Sequence, residues 1–179
     1  MAIQSPVTLD EAKIHLRAVT TTEDQYINAL CLAATAWAEK FQNRTFVSRP
    51  RTMVLDRFPT VIRPPDPPLV SVTSIVYIDL DGAEQTLDAA NYRVDAVTEP
   101  GRITVAYDLS WPDTRCVTNA VTISYKAGYG TEAAVPDDVK HAIKLLVGHL
   151  FEHREAASEI SLEVVPMAVQ SLLWSDRIL

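Results

Sequence analysis

The feature that most constrains the fold is a change of hydrophobic period along the chain. Apolar residues recur at helical spacing in the first 45 residues and again after residue 132, whereas the segment between them is rich in β-branched residues. Helices grouped at both ends of the strands favour an α+β fold over an alternating α/β fold. We predict one compact chain in which N-terminal helices (1–45) and C-terminal helices (133–179) form a helical bundle around an inserted antiparallel β module (46–132).

Two helices are predicted before residue 45. Thr8–Glu11 has the pattern of a capping box, and Thr22–Gln25 offers a second one. The second helix is long and rich in alanine, and Asn43-Arg44 ends it. Its apolar face consists of Ile27, Leu30, Cys31, Ala34, Trp37, Ala38 and Phe41.

The middle of the chain contains a run of prolines that limits its structure. Arg63–Pro68 can be neither a helix nor a central strand, so it is predicted to be a stiff, extended connector. Asp79–Gly82 supplies the turn of a β-hairpin. The predicted strands are Arg51–Leu55, Val70–Ile78, Thr86-Leu87, Tyr92–Val94, Arg102–Val105 and Val121–Tyr125.

The last part returns to helical spacing. Pro136 suits a first helical position, and the helix after it is predicted to run to about Glu155. Pro166 opens a last short helix. The apolar stripes of the two helices are Val139, Ile143, Leu146, Val147 and Leu150, and then Val169, Leu172 and Leu173.

Charge and hydropathy exclude two classes of protein. The net charge is −7, with 16 basic residues dispersed among 23 acidic ones, so the chain is not an ordinary DNA-binding domain. Its apolar stretches are shorter than the ~20 residues of a membrane helix. The first residues lack the pattern of a signal peptide, so synthesis in a cytoplasm without a membrane partner is expected. Cys31 and Cys116 fit no metal spacing and are interpreted as free, inert thiols.

One short pattern points to catalysis. His149, Glu152 and His153 match the inverted zinc-peptidase motif, and a helix would place both histidines on one face. The alternative is a polar helix end that matches by chance. A third zinc ligand would have to come from Glu155, Glu159 or Glu163. These residues follow His153 at a shorter sequence distance than the third ligand usually has in such enzymes. Asp79, Asp81 and Glu84 are interpreted as the solvated tip of a hairpin. Lys126–Gly130 contains glycines but lacks the Lys-Ser/Thr ending of a phosphate-binding loop. No catalytic, cofactor-binding or metal-binding residue is predicted.

The C-terminal segment from Pro166 to Leu179 is a candidate docking element. Tryptophan with flanking aliphatic residues supplies the anchors of many interfaces. The alternative, equally favoured, is that the segment packs onto its own core. The predicted interface residues are Pro166, Val169, Leu172, Leu173, Trp174, Ile178 and Leu179.

The order of these signals resembles the head–tail connector (adaptor or head-completion) proteins of long-tailed double-stranded-DNA phages and gene transfer agents. The resemblance spans nearly the whole chain, and no one piece of it is diagnostic. It rests on Val7–Arg17, on Glu23-Asp24 leading into the alanine-rich helix that ends with Phe41–Arg44, and on Pro67–Tyr77, Asp81-Gly82, Gln85–Leu87, Tyr125–Gly130, Val135-Pro136 and His149–Glu155.

The resemblance implies a structural virion protein without enzymatic activity, located in the neck at the head–tail interface. Its subunits would form a ring, a dodecamer matching the portal protein, that extends the DNA channel and meets a stopper or tail-completion protein. Genomic DNA would pass through without specific binding, and the helix end at His149–Glu155 would have no metal role. A small zinc hydrolase and a soluble module that regulates assembly remain as alternative functions.

Overall fold

A computed structural model describes residues 3–153 and 166–178, which contain four α-helices and seven β-strands. The predicted α+β class is confirmed. The chain divides into two compact units. Unit 1 comprises residues 1–47 and 130–179, and unit 2 comprises residues 48–129.

Unit 1 is helical. Its elements are α1 (Leu9–Leu16), α2 (Asp24–Gln42), α3 (Asp137–Glu152) and α4 (Met167–Trp174). The long helix α2 packs against the other three, and α3 packs against α1 and α4 as well. The larger buried side chains between them are Ile27, Phe46, Val139, Ile143, Leu146, Val147, Val169 and Leu173.

The ends of α1 and α2 show which of the predicted capping patterns form. The first capping box is confirmed, because Glu11 N donates to Thr8 Oγ1 at 3.2 Å and Thr8 N donates to Glu11 Oε2 at 2.9 Å. The second is wrong. Glu23 is the N-cap residue of α2 and its side chain makes no capping hydrogen bond, while the Thr22 hydroxyl donates to Thr20 Oγ1 at 3.0 Å. Asn43 ends α2 in the left-handed conformation, with φ 55°.

The third helix differs slightly from the prediction at both ends. Pro136 is the N-cap residue rather than the first helical residue, because its extended ψ of 142° lies outside the helical range. The helix ends at Glu152, short of the predicted end near Glu155, and His153 N donates to His149 O at 3.1 Å. The last helix begins directly after Pro166, as predicted. No helix in the described ranges has the length and apolar character needed to cross a membrane.

Unit 2 is built from antiparallel strand pairs, as predicted. Four strands form one sheet in the order β1-β7-β3-β4, and three form a second in the order β2-β6-β5. The two-residue strand β2 was missed, since it is too short to show a period. The strands are β1 (Arg49–Leu55), β2 (Val61–Ile62), β3 (Leu69–Ile78), β4 (Glu84–Thr86), β5 (Tyr92–Asp95), β6 (Arg102–Val105) and β7 (Val121–Ala127).

The core of unit 2 lies around the central strands β3 and β7. It is formed by Ile62, Leu69, Ile75, Leu87, Ile103, Val121, Ile123, Tyr125 and Ala127. The Tyr125 hydroxyl donates to Pro65 O at 3.2 Å, which anchors the proline-rich connector to this core. Burial raises the pKa of Tyr125 to about 12. Arg51 forms an ion pair with Asp66 at 3.0 Å at the same connector.

Gly101 gives a test of how tightly this core is packed. A Cβ added there would lie 2.5 Å from Leu69 Cβ and 3.2 Å from Asp95 O, so Gly101→Ala must displace β3 or β5. We expect a loss of about 1–3 kcal/mol in the free energy of unfolding, the usual cost of overpacking. Urea unfolding of the full chain measures this loss of stability.

Gly148 on α3 provides the matched control. A Cβ added at Gly148 has its nearest neighbour, His15 Nε2, at 3.6 Å, which is ordinary contact. Gly148→Ala should therefore be neutral or stabilising by up to about 1 kcal/mol, since alanine favours helices. Equal stability of the Gly101→Ala variant and the parent chain would contradict the close packing described above.

Candidate interaction surfaces

The C-terminal segment packs onto its own unit. Val169 and Leu173 of α4 are both 0 % exposed and contribute to the core of unit 1. The side chain of Gln42, at the end of α2, donates to Leu173 O at 2.9 Å. Ile178 N donates in turn to Gln42 O at 3.0 Å. The segment is therefore held at two points along its length by one residue of α2.

The next two residues add further hydrogen bonds to the same segment. The Asn43 side chain donates to Ile178 O at 2.8 Å, and Arg44 Nε donates to Asp176 O at 2.6 Å. Arg44 is itself buried, and its bond to the half-buried Asp176 is partly buried. Polar side chains that satisfy carbonyl groups of a terminal segment fix its path, which side-chain burial alone would not do.

The seven predicted interface residues differ in their burial. Val169 and Leu173 are buried, which removes them from any surface while unit 1 is folded. Trp174 is 61 % exposed, and Pro166, Leu172 and Ile178 are half-buried. Leu179 lies outside the described residues. Packing onto the chain's own core, the alternative interpretation, therefore holds for part of the segment. Whether the exposed part docks on another protein stays a prediction.

Four side chains form what we call the aromatic surface of unit 1: Trp37, Phe41, Trp174 and Arg177. The rings of Trp37 and Phe41 stack at 5.1 Å, and Phe41 lies 6.2 Å from Trp174. The Arg177 guanidinium lies over both Phe41 and Trp174, at 5.1 and 5.2 Å. Aromatic residues and arginine are the side chains most enriched in binding hot spots. Sequence reasoning did not single out Phe41 and Arg177, both half-buried, as candidate interface residues, although the i, i+4 spacing of Trp37 and Phe41 was a signal.

A second apolar surface of unit 1 is the outer face of α2. We define it as Ala29, Leu32, Ala33 and Ala36, which recur at helical spacing. All of them are exposed except the half-buried Ala36. Small side chains on a helix let another backbone approach closely. This face is thus suited to helix packing against another molecule.

The histidine pair of the zinc-peptidase pattern lies at the C-terminal end of α3. The rings of His149 and His153 lie 4.5 Å apart, and His153 Nδ1 lies 2.9 Å from His149 O. Within residues 3–153 and 166–178, no three histidine, cysteine or acidic side chains are grouped so that they could hold a metal ion. The possible third ligands Glu155, Glu159 and Glu163 lie outside the described residues.

The acidic hairpin tip is a turn, as predicted. Asp79 Oδ1 accepts hydrogen bonds from Asp81 N at 3.0 Å and Ala83 N at 2.9 Å, and Oδ2 accepts from Gln85 Nε2 at 2.9 Å. These bonds hold the pKa of Asp79 below its usual value. The carboxylate is thus used to shape the turn. Gly82, with φ 90°, occupies the position that requires a left-handed backbone.

The two thiols differ in exposure, which gives a direct test of the fold. Cys31 is buried on α2, and burial raises its pKa to about 11, so it stays protonated at pH 8. Cys116 is exposed, so this thiol is accessible to reagents. We expect one thiol per chain to react promptly with Ellman's reagent at pH 8 in the native protein, and both in denaturant. In Cys116→Ser the prompt reaction should disappear. Two prompt thiols in the native chain would contradict the burial of Cys31.

Comparison with known proteins gives a family and a fold. The model of the head completion protein family matches residues 7–163. No curated protein matches the sequence. A chain from the neck of an empty gene transfer agent particle, computed with C6 symmetry, is 25% identical, with a TM-score of 0.80 over 100% of this chain and 93% of that chain.

Two further structures have the same fold. A chain of the native gene transfer agent virion is 24% identical, with a TM-score of 0.80 and coverage of 100% of this chain and 93% of that one. A chain from the neck of the native particle, computed with C12 symmetry, is 23% identical, with a TM-score of 0.75 and coverage of 97% and 90%. At these identities the likeness concerns the fold alone.

Proposed function

The chain belongs to the head completion protein family, and from this we propose that it is a structural head–tail connector in the neck of a phage or gene transfer agent particle. The observation that carries the proposal is the extent of the family match, which covers all of unit 2, most of unit 1 and every described helix except α4. The similar chains from gene transfer agent necks support the same location. The protein acts by shape and contact, and its role is structural rather than enzymatic.

Subunits assemble into a ring below the portal protein, and this ring extends the DNA channel toward a stopper or tail-completion protein. The C6 and C12 symmetries of the neck structures are compatible with a dodecamer. The ring is closed by head-to-tail contacts, which form a ring when the rotation per subunit fits. The net charge of −7 prevents the channel wall from binding DNA tightly, since non-specific binding requires Lys and Arg side chains that neutralise phosphates.

The helical segments 1–45 and 133–179 together form the bundle that serves as the body of this ring. The outer face of α2 supports this assignment, because its small apolar residues lack a covering element among the described residues of unit 1. The inserted β module, residues 46–132, projects outward or toward the tail. Contacts between helical bodies give the ring rigidity, and the strands present a surface to the next component of the neck.

The C-terminal segment docks on the portal through the aromatic surface. Val169 and Leu173 hold the segment on unit 1, Trp174 is left exposed, and the half-buried Arg177 lies over its ring. A preformed aromatic anchor binds with little loss of conformational freedom. Deleting the whole segment would also remove core residues. A point substitution at Trp174 is therefore the sharper test.

The assembly route can be tested by mass. We expect the purified chain to be a monomer of 19.8 kDa in solution and to form a ring only when the portal ring is present. Native mass spectrometry of the chain alone, and then of its mixture with the portal, measures both states. A stable ring formed without the portal would contradict this route. Failure to bind the portal at all would contradict the proposed function.

A further inference from the structure

The four-stranded sheet of unit 2 has two open edges. Its order is β1-β7-β3-β4, and among the described residues no further strand pairs with β1 or with β4. An open edge presents a row of unpaired N–H and C=O groups, which readily pair with a strand of another chain. The side chains of Thr52 and Val54 on β1, and of Glu84 and Thr86 on β4, are exposed. The described part of one copy therefore leaves both edges uncovered.

The outward-pointing backbone groups of β1 follow from the bonds of its neighbour β7. Gly128, directly after β7, donates from its N to Pro68 O at 2.9 Å, on the side of β3. Successive residues of an antiparallel strand bond to opposite neighbours, so the odd-numbered residues of β7 bond to β1. Their partners on β1 are also odd-numbered. Pro50, Thr52 and Val54 therefore point outward, a position that suits proline because it has no N–H to donate.

The same reasoning applies to β4. Leu87, directly after this strand, donates from its N to Ile75 O at 2.8 Å, so the odd-numbered residues bond to β3. Glu84 and Thr86 therefore point outward. Each edge thus offers two residues, two positions apart, whose N–H and C=O groups can pair with another strand.

Strand direction allows these two edges to meet in neighbouring copies. All neighbouring strands of the sheet are antiparallel and their number is even, so β1 and β4 run in opposite directions. When two copies are related by rotation about an axis along the strands, β4 of one copy meets β1 of the next in antiparallel orientation. The pairing repeats from copy to copy, which is the head-to-tail pattern that closes a ring.

The β4 edge is acidic. The acidic residues of this strand and its flanks are Asp79, Asp81, Glu84 and Asp88. Residues 64–92 contain no lysine or arginine. The Asp81 and Glu84 side chains are exposed. Arg115 lies against Gly82 and offsets one of the four charges, so this edge keeps a net negative charge.

The β1 edge is basic. Arg57 follows the strand and Lys126 projects from β7 beside it, and both are exposed. Asp56 offsets one of these charges, and Arg51 is already paired with Asp66 at 3.0 Å. Opposite charges on the two edges of one sheet favour contact between unlike edges of identical copies over contact between like edges. A second copy of this chain therefore fits each edge.

We propose that β4 of one copy pairs with β1 of the next copy in antiparallel orientation, with Thr86 opposite Thr52 and Glu84 opposite Val54. This register uses all the outward-pointing residues that have an N–H, and forms about four main-chain hydrogen bonds. A register shifted toward Pro50 would lose one of these bonds, because proline has no N–H.

Charge selects the same register. Beyond Glu84 it brings Asp81 opposite Arg57 of the next copy, and both side chains are exposed. A shift of two residues toward the end of β1 would place Glu84 opposite Asp56, where like charges repel. The inference rests on the proposed ring and deepens it, because it names the strands that join neighbouring β units.

A pair of cysteines tests the register. Thr52→Cys and Thr86→Cys are combined in a chain whose exposed thiol is removed by Cys116→Ser. Opposed residues of this kind have Cα atoms about 5.5 Å apart, which a disulfide can span. Rings assembled on the portal are oxidised mildly, imaged by electron microscopy and run on a non-reducing gel. We expect a ladder of covalent products beyond the dimer, because every copy carries both halves of the contact.

The controls separate this contact from the proposed function. Either cysteine alone should give no ladder, and Val54→Cys with Thr86→Cys, shifted by two residues, should give a much weaker one. Intact rings without a ladder, or equal ladders from the two pairs, would overturn the strand contact and leave the ring itself standing. Absence of rings when the unsubstituted chain is mixed with the portal would overturn the proposed function instead.

Charge reversal gives a second test that needs no oxidation. Arg57→Glu and Asp81→Lys should each lower the yield of rings on the portal by roughly tenfold, because like charges then meet at every contact. The chain that carries both substitutions should recover most of the yield. Unchanged yield in the two single variants, or no recovery when they are combined, would overturn the contact.

Discussion

Replacing Leu173 by alanine is expected to lower the free energy of unfolding by about 2–5 kcal/mol, the cost of emptying a buried leucine site. Leu173 is 0 % exposed, and its carbonyl accepts from the Gln42 side chain, so the residue links α4 to the end of α2. The loss should be localised in unit 1. Hydrogen exchange in the full chain measures this loss separately for each unit, because the α2 amides report on unit 1 and the β7 amides report on unit 2.

Leu172→Ala provides the matched control for this experiment. Leu172 is the neighbouring leucine on the same helix but is only half-buried, so its substitution should cost less. Equal losses for the two variants, or a loss in Leu173→Ala that appears in β7 rather than α2, would contradict the packing of the C-terminal segment. The experiment requires no partner and therefore tests the fold independently of the proposed function.

Replacing Trp174 by alanine is expected to weaken binding to the portal ring by roughly 30-fold, the effect of a hot-spot residue worth about 2 kcal/mol. Trp174 is 61 % exposed, so its removal leaves the core of unit 1 intact. The change in stability should be no more than about 0.5–1 kcal/mol. Affinity for the immobilised portal ring and the unfolding midpoint are measured on the same preparation.

The control for Trp174 is Met167→Ala on the same helix. Met167 is 77 % exposed but lies outside the aromatic surface, so its removal should leave portal affinity nearly unchanged. Unaltered affinity in Trp174→Ala, with folding intact, would contradict docking through the aromatic surface. Equal losses in both variants would contradict the assignment of Trp174 as the anchor.

Much of the fold could be predicted because its signals are local. The capping box at Thr8–Glu11, the left-handed end at Asn43 and the hairpin turn at Asp79–Gly82 each depend on a few adjacent residues. Two features were predicted wrongly, each for a physical reason. The strand β2 is too short for a period, and the Thr22 hydroxyl bonds to Thr20 instead of capping α2.

The candidate surfaces could be predicted only in part, because they depend on contacts between distant residues. Trp174 was recognised as an anchor, but Val169 and Leu173 of the same segment are buried by their register on α4. The hydrogen bonds from Gln42, Asn43 and Arg44 to residues 173–178 join positions about 130 apart in sequence. No local sequence pattern indicates such a contact.

The most direct test of the proposed function is to find the chain in purified mature particles and locate it there. Mass spectrometry gives its copy number relative to the portal protein, and cryo-electron microscopy of the neck gives its position. We expect one copy for each portal subunit, in a ring between the portal and the tail. Absence of the chain from mature particles, or its presence away from the neck, would contradict the account and favour a role in regulating assembly.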